Sequence, residues 1–409
     1  MPGLTKILIT AFAQSITSFF YILILMMVYL QIKRRMHLEE IWLGFLRDTV
    51  VNQLMYAMLY GMITGLVAST LIVITGVPLD LNTILVIWPF ALILTLFNER
   101  YLCFSYAGGI ASLLSLIFGW PKIDVSAVIA LIGILHMTEG LLIILDGHRY
   151  ALPVVMEHKR FKPIGAFVMN RLWPVPLVVL TVPAEAISAA GGTIPMPSWW
   201  PFFGMQNESG LMLLPLAIML QYSGLAVTAL PRRHTRLTGL LIMLYSFFLL
   251  GLAVLSVRFV WMSYTGAIIM PILHETILHF AKKSQLEGNP ILGAPWRGLR
   301  VLEVLPDYIG SKMGIESGDI LLSVNGKSIN SEEMLIETLG QAPLYLWMDL
   351  DRRGEVITLE YRHYRRGEDK LGIVFVPRKT SRYFQADEQG GLALRLWRRL
   401  VQRNNGAQN

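Results

Sequence analysis

From Ile7 to Ala281 the chain returns again and again to long apolar runs separated by short polar loops. A helix that crosses a bilayer needs about 20 mostly apolar residues. This patterning therefore constrains the fold more than any other feature. The runs that approach the required length are 8–30, 51–75, 84–97, 102–118, 125–145, 173–187, 211–230 and 237–257, with 261–280 as a ninth. Runs 84–97 and 173–187 are short and contain proline. The expectation is a polytopic α-helical membrane bundle of eight or nine transmembrane helices. The first run lacks a small-residue cleavage site and leads into Lys33, Arg34 and Arg35, a stop-transfer pattern and not a signal peptide.

Charge divides the chain. Only 15% of all residues are charged, against about 25% in soluble domains, and the deficit lies before Lys282. The resulting plan is a membrane domain over 1–281, a linker over 282–293, a soluble domain over 294–378 and a basic tail over 379–409. The net charge of +7 does not point to nucleic acid, because the basic residues flank apolar runs and read as retention at one membrane face. Lys33, Arg34, Arg35, Arg47, Arg149, Arg171, Arg232, Arg233 and Arg236 fall in alternate loops, which predicts a cytoplasmic soluble domain and an external 188–210 loop rich in aromatics. The single cysteine, Cys103, excludes an internal disulfide and a zinc site built from cysteines.

The soluble part opens with Gly288, Pro290, Gly293 and Pro295, a linker signal. An apolar strand ending at Leu305 follows, then a short helix through Lys312-Met-Gly-Ile315, Ser317-Gly-Asp-Ile-Leu321 and Ser323-Val-Asn-Gly-Lys327. Asn325-Gly326 is a hairpin turn signal, and Ser331 is a helix cap before Glu332 and Glu333. Two further strands flank Arg353-Gly354. In this order the motifs resemble bacterial PDZ domains, so the expected fold is a small α+β PDZ-like domain. The resemblance implies peptide capture by β-augmentation. It makes Arg297, Gly298, Leu299, Arg300 and Val301 the carboxylate loop and receiving strand, with Met334, Leu335 and Ile336 on the helix walling the groove. Leu299, Val301 and Leu335 also fit a plain core role, since groove and core positions alternate.

Many membrane segments, a short linker and one C-terminal PDZ domain resemble the MinJ family of Gram-positive bacteria. In the membrane part the resemblance rests on His136-Met-Thr-Glu-Gly140, Leu145-Asp-Gly147 and Pro271-Ile-Leu-His-Glu275. It implies a division-site adaptor in the bacterial cell membrane, enriched at septum and poles, that bridges the curvature-marking protein DivIVA and the division inhibitor MinD. No cofactor, metal or catalytic residue is expected on this reading.

Two other classes compete. An intramembrane zinc protease of the site-2 family also joins membrane helices to PDZ domains, and His274-Glu275 and Leu145-Asp-Gly147 resemble its motifs. Its histidines sit four apart on a helix, about 40° apart in projection; His274 and His279 are five apart, about 140° around the helix. The second alternative is a transporter with a regulatory PDZ domain. His136, Glu139 and Asp146 share one helical face, which must look into the bundle or an aqueous cavity. This polar cluster, with His274 and Glu275, reads as a helix tie, a proton path or a metal site. In the tail, Leu392, Leu396, Trp397 and Leu400 form a stripe flanked by arginines, suited either to a lipid surface or to packing on the PDZ domain.

Overall fold

The computed structural model describes residues 2–97, 101, 103–158, 163–181, 211–342, 344–365, 369–380 and 383–384. The tail stripe and the whole of the expected external loop lie outside these residues.

The chain begins with α1 (Pro2–Thr17) and α2 (Phe19–Leu43), bent by 53° at Ser18. Ser18 caps α2 by accepting from the Tyr21 amide, and Gly44 ends it with a left-handed φ of 77°. Then come α3 (Val50–Thr75), α4 (Leu81–Phe97), α5 (Phe104–Phe118) and α6 (Val125–Asp146). A sheet of β1 (Leu152–Met156), β2 (Ile164–Thr181) and β3 (Met212–Ala226) follows in that order. The membrane domain closes with α7 (Pro231–Ser256) and α8 (Val260–Glu287).

Three described helices, α3, α6 and α7, are long and apolar enough to cross a membrane, and four spans result if bent α1–α2 counts as one. The expected eight or nine helical spans are thus corrected. Helices α4 and α5 have 17 and 15 residues, shorter than a ~30 Å hydrocarbon core requires at ~1.5 Å per residue. Helix α8 carries Pro271, His274, Glu275 and His279 within its apolar stretch and is not among the three.

The larger correction concerns runs 173–187 and 211–230. Their described parts form an antiparallel hairpin, paired from Phe167↔Ala226 to Thr181↔Met212. Apolar content alone does not separate a spanning helix from a buried strand; a single proline, such as Pro89 or Pro271, is accommodated within α4 or α8, but two prolines two residues apart favour the strand. Pro174 and Pro176 would each cost about 3 kcal/mol inside a helix. In a strand, residues two apart turn their N–H and C=O to the same side. On that side of β2 lies α3. Pro174 and Pro176 present no N–H there, and the Val178 amide donates to Ser69 Oγ at 2.9 Å. The Pro174 and Pro176 carbonyls approach Gly61 and Gly65 so closely that a Cβ at either glycine would lie 2.2 Å from the oxygen. The exposed edge of β2 is thus closed by a helix with two glycines and one hydroxyl, and this lets an 18-residue strand be almost wholly buried. Helices α6 and α7 meet equally closely, with Gly140 and Gly239 each facing the other's carbonyl.

The soluble domain contains β4 (Leu299–Val304), α9 (Ile309–Met313), β5 (Ile320–Val324), β6 (Lys327–Ser328), α10 (Glu332–Gln341), β7 (Leu346–Arg352), β8 (Glu355–Tyr361) and β9 (Ile373–Phe375). Its sheet runs β8-β7-β5-β4-β9, with β6 paired to β5. Asn325 and Gly326 take positive φ of 48° and 77° and make the β5–β6 turn; Arg353 and Gly354 do the same between β7 and β8. Ser331 caps α10 through the Met334 amide. The core gathers Leu299, Val301, Leu321, Leu335, Leu346, Met348 and Phe375. Leu302 and Val376 instead join the membrane-domain core, where Leu292 also packs. The Gly165 amide donates to the Leu292 carbonyl at 2.7 Å. A Cβ at Gly165 would sit 2.7 Å from Leu302 and 2.9 Å from Val376, so this glycine is what lets the two domains meet.

Candidate functional site

The strand expected to receive a peptide has no free edge. Strand β4 is paired on both sides, with β5 along Leu299↔Leu321 and with β9 along Val301↔Phe375. The Val301 amide donates to Asp319, and its carbonyl accepts from Gly318. The Arg300 carbonyl accepts from Val376. No edge is left there for a peptide. Val301, Leu299 and Leu335 are core residues. The Gly298 amide is taken by Asn330 Oδ1 at 3.1 Å. Arg300 bonds the carbonyls of Gly293 and Gly318, and Arg297 stacks on its own neighbour Trp296. Met334 and Ile336 stay exposed on α10. The correction has a simple cause. Each alternating apolar strand here looks alike in sequence, and only strand order shows which one is interior.

The sheet has two terminal strands, β8 and β9, and β9 is the one next to β4. Among the described residues no strand pairs with its outer side. The Gly372 carbonyl and Val376 amide bond β4. Alternation therefore turns the backbone groups of Ile373 and Phe375 outward. Gly372, with φ of 65°, leads into the strand from the turn that holds Arg365, Asp369 and Lys370. Leu371 and Ile373 are half-buried against the domain core, with the Ile373 side chain close to Gly310 of α9.

Where the domains meet, Glu303 of β4 faces Arg47 and Glu39 of the membrane domain. Burial pushes its carboxyl up to about 7, and the nearby Arg47 opposes that rise.

The expected intramembrane cluster splits in two. Asp146 is fully buried and lies apart from the histidines. Its Oδ2 accepts from Arg171 Nε at 2.9 Å, from a second Arg171 nitrogen and from Trp173 Nε1 at 2.7 Å. It lies within about 80° of His136 around the helix, but ten residues place it about 15 Å along the axis. The rest converges. His136 Nε2 lies 3.7 Å from Glu139 Oε2, and the His136 and His274 rings are 5.1 Å apart. Glu275 accepts from the Tyr106 hydroxyl. Cys103, at the N-cap of α5, completes the group. Its Sγ is 3.1 Å from His136 Nε2 and 3.7 Å from His274 Nε2. Sequence reading set Cys103 aside because it is alone, and also missed Ser105, Tyr106 and Tyr245. No spacing rule links a cap on one helix to histidines on two others. His279 is exposed and stacks on Phe280, away from this group.

No protein-family profile matches the chain. It is 25% identical over 390 residues to the cell division topological determinant MinJ of Bacillus subtilis (strain 168), covering 88% of this chain and 91% of that protein. It is 23% identical over 342 residues to the "Probable cell division topological determinant MinJ" of Lacticaseibacillus paracasei, covering 78% and 85%. Among solved structures, the PDZ domain of the SdrC-like protein from Listeria monocytogenes aligns with a TM-score of 0.18 and 14% identity, covering 21% of this chain and 94% of that one.

Proposed function

This chain's similarity to the MinJ division determinants runs over nearly its whole length and is the premise from which we propose its role. It is a membrane-anchored, non-enzymatic adaptor that helps place the bacterial division machinery. The observation that carries the reading is the unpaired outer edge of β9, with half-buried Leu371 and Ile373 beside it. An extended segment of a partner adds there as a further strand, gaining affinity from backbone hydrogen bonds and selectivity from the adjoining side chains. The finer proposal, that the protein bridges a DivIVA-like curvature marker and a MinD-like inhibitor at septum and poles, follows from the resemblance.

The expected side of the membrane is cytoplasmic. Gln285, at the end of α8, accepts from the amides of Val227 and Thr228 just before α7. The soluble domain therefore emerges at the end where Arg232, Arg233 and Arg236 cluster, the face that a basic excess marks as internal. A proteolytic role is disfavoured by Asp146, whose carboxylate is occupied by Arg171 and Trp173, and by the separation of His279 from His274.

The test is Ile373→Pro in the full-length protein. It removes one outward N–H while leaving the Gly372 and Val376 bonds to β4 in place, and an edge strand tolerates proline. Expected is a folded protein that no longer co-purifies DivIVA-like or MinD-like proteins and no longer gathers at the septum. Val301→Lys, by contrast, puts a charge in the core and unfolds the domain. Normal co-purification and septal placement by a folded Ile373→Pro variant would remove the β9 edge as the working surface.

A further inference from the structure

We propose that Cys103, His136 and His274 form a zinc site within the membrane domain, with Glu139 beside it. The three residues come from three elements: the N-cap of α5, the middle of α6 and the middle of α8. Their ligand atoms all lie within 4.8 Å of one another. In tetrahedral zinc the metal–nitrogen and metal–sulfur distances are about 2.0–2.1 and 2.3 Å, so ligand atoms stand about 3.3–3.6 Å apart. The Cys103 Sγ to His136 Nε2 and His274 Nε2 distances of 3.1 and 3.7 Å bracket that range. Glu139 Oε2 stands beside the three, 3.7 Å from His136 Nε2.

The hydrogen bonds around the cluster point the same way. His136 Nδ1 lies 2.8 Å from the Ile132 carbonyl. A carbonyl only accepts, so Nδ1 carries a proton, and in the neutral ring the lone pair is on Nε2. The Tyr106 hydroxyl gives its proton to Glu275. Its oxygen therefore accepts from His274 Nδ1, 3.3 Å away, and His274 Nε2 is bare as well. Metal-bound histidines show this pattern, in which the outer nitrogen donates to a carbonyl or to a carboxylate-linked group and fixes the tautomer. Two bare nitrogens thus face one thiol, whose single proton satisfies only one of them. Ser105 Oγ, 3.2 Å from His136 Nε2, has one proton as well and also faces Tyr245, whose own proton goes to the Met270 carbonyl. A cation at the centre meets all three lone pairs.

The donor set selects the metal. One thiolate and two imidazoles suit zinc, whereas a purely soft ion such as Cu(I) favours sulfur ligands. The charges of the Cys103 thiolate, the Glu139 carboxylate and Zn²⁺ sum to zero, which makes the site tolerable in apolar surroundings. Such a site ties α5, α6 and α8 together, and α8 is the helix that leads into the soluble domain.

The experiment uses the full-length protein, purified in detergent without chelators, with the metal alone as probe. Bound zinc is measured by mass spectrometry and Co²⁺ by absorption after exchange. Expected is about one zinc per chain, and with Co²⁺ a tetrahedral visible spectrum plus a thiolate-to-metal charge-transfer band. Cys103→Ser loses the band and most of the metal. His136→Gln and His274→Gln lose the metal, whereas His279→Gln keeps it. Cys103→His covers the chance that loss of metal merely reports misfolding: it restores zinc but not the charge-transfer band. The proposal is overturned if the wild-type protein, monodisperse and folded, binds neither ion. It is equally overturned if bound metal survives in Cys103→Ser with an unchanged cobalt spectrum.

Discussion

Asp146→Ala probes the tie between α6 and the β2–β3 hairpin. Asp146 is wholly inaccessible, and Arg171 is 2% exposed. The carboxylate holds Arg171 through two nitrogens and the Trp173 indole through a third, with Arg149 Nε 3.4 Å away on the other oxygen. Removing it leaves a guanidinium buried without its counter-charge, which costs about 3–5 kcal/mol. Arg171→Met has a smaller effect, because Arg149 and Trp173 still face the stranded carboxylate. Replacing both with apolar residues removes both desolvation penalties, so the double variant Asp146→Leu/Arg171→Met is more stable than Asp146→Ala, by about 2–3 kcal/mol. The assay is reversible denaturant unfolding of the full-length protein in mixed micelles, followed by tryptophan fluorescence. A loss below about 1 kcal/mol for Asp146→Ala, or strict additivity in the cycle, would refute the reading of this pair as a buried tie.

Two further outcomes follow from the packing. Gly61→Ala or Gly65→Ala drives a methyl into the Pro174 or Pro176 carbonyl and should destabilise by about 1–3 kcal/mol; Gly251→Ala, with open space around its Cβ, should be neutral or stabilising in the same assay. Glu303 makes docking of the soluble domain pH-dependent. Its carboxyl rises from an ordinary 4.5 to about 7, so the proton favours the docked state. That contribution, on the order of 3 kcal/mol at most, is complete below pH 4.5 and fades as pH rises through 7. Hydrogen exchange at the Gly165 amide, which bonds Leu292 across the junction, should quicken over that window, and Glu303→Gln should flatten the response.

Much of the plan was present in the sequence because it depends on local chemistry. The charge deficit before Lys282, the Asn325-Gly326 turn and the Ser331 cap each act within a few residues, and each appears where expected. His136 and Glu139 stand close because residues three apart on a helix are neighbours. Local chemistry was therefore enough for a membrane part, a small α+β domain with these turns and caps, and a polar face on α6. Tertiary structure decided the rest. Runs 173–187 and 211–230 became strands because each supplies the other's backbone partners and α3 closes the remaining edge. No single run contains that information. Strand β4 is interior and β9 terminal because edge and interior are properties of the assembled sheet. Asp146 left the histidines for Arg171, which lies on the hairpin 25 residues away. Cys103 joined His136 and His274 only when α5, α6 and α8 packed. Periodicity records which way a side chain points along its own element, whereas a site made of three elements exists only once those elements have met.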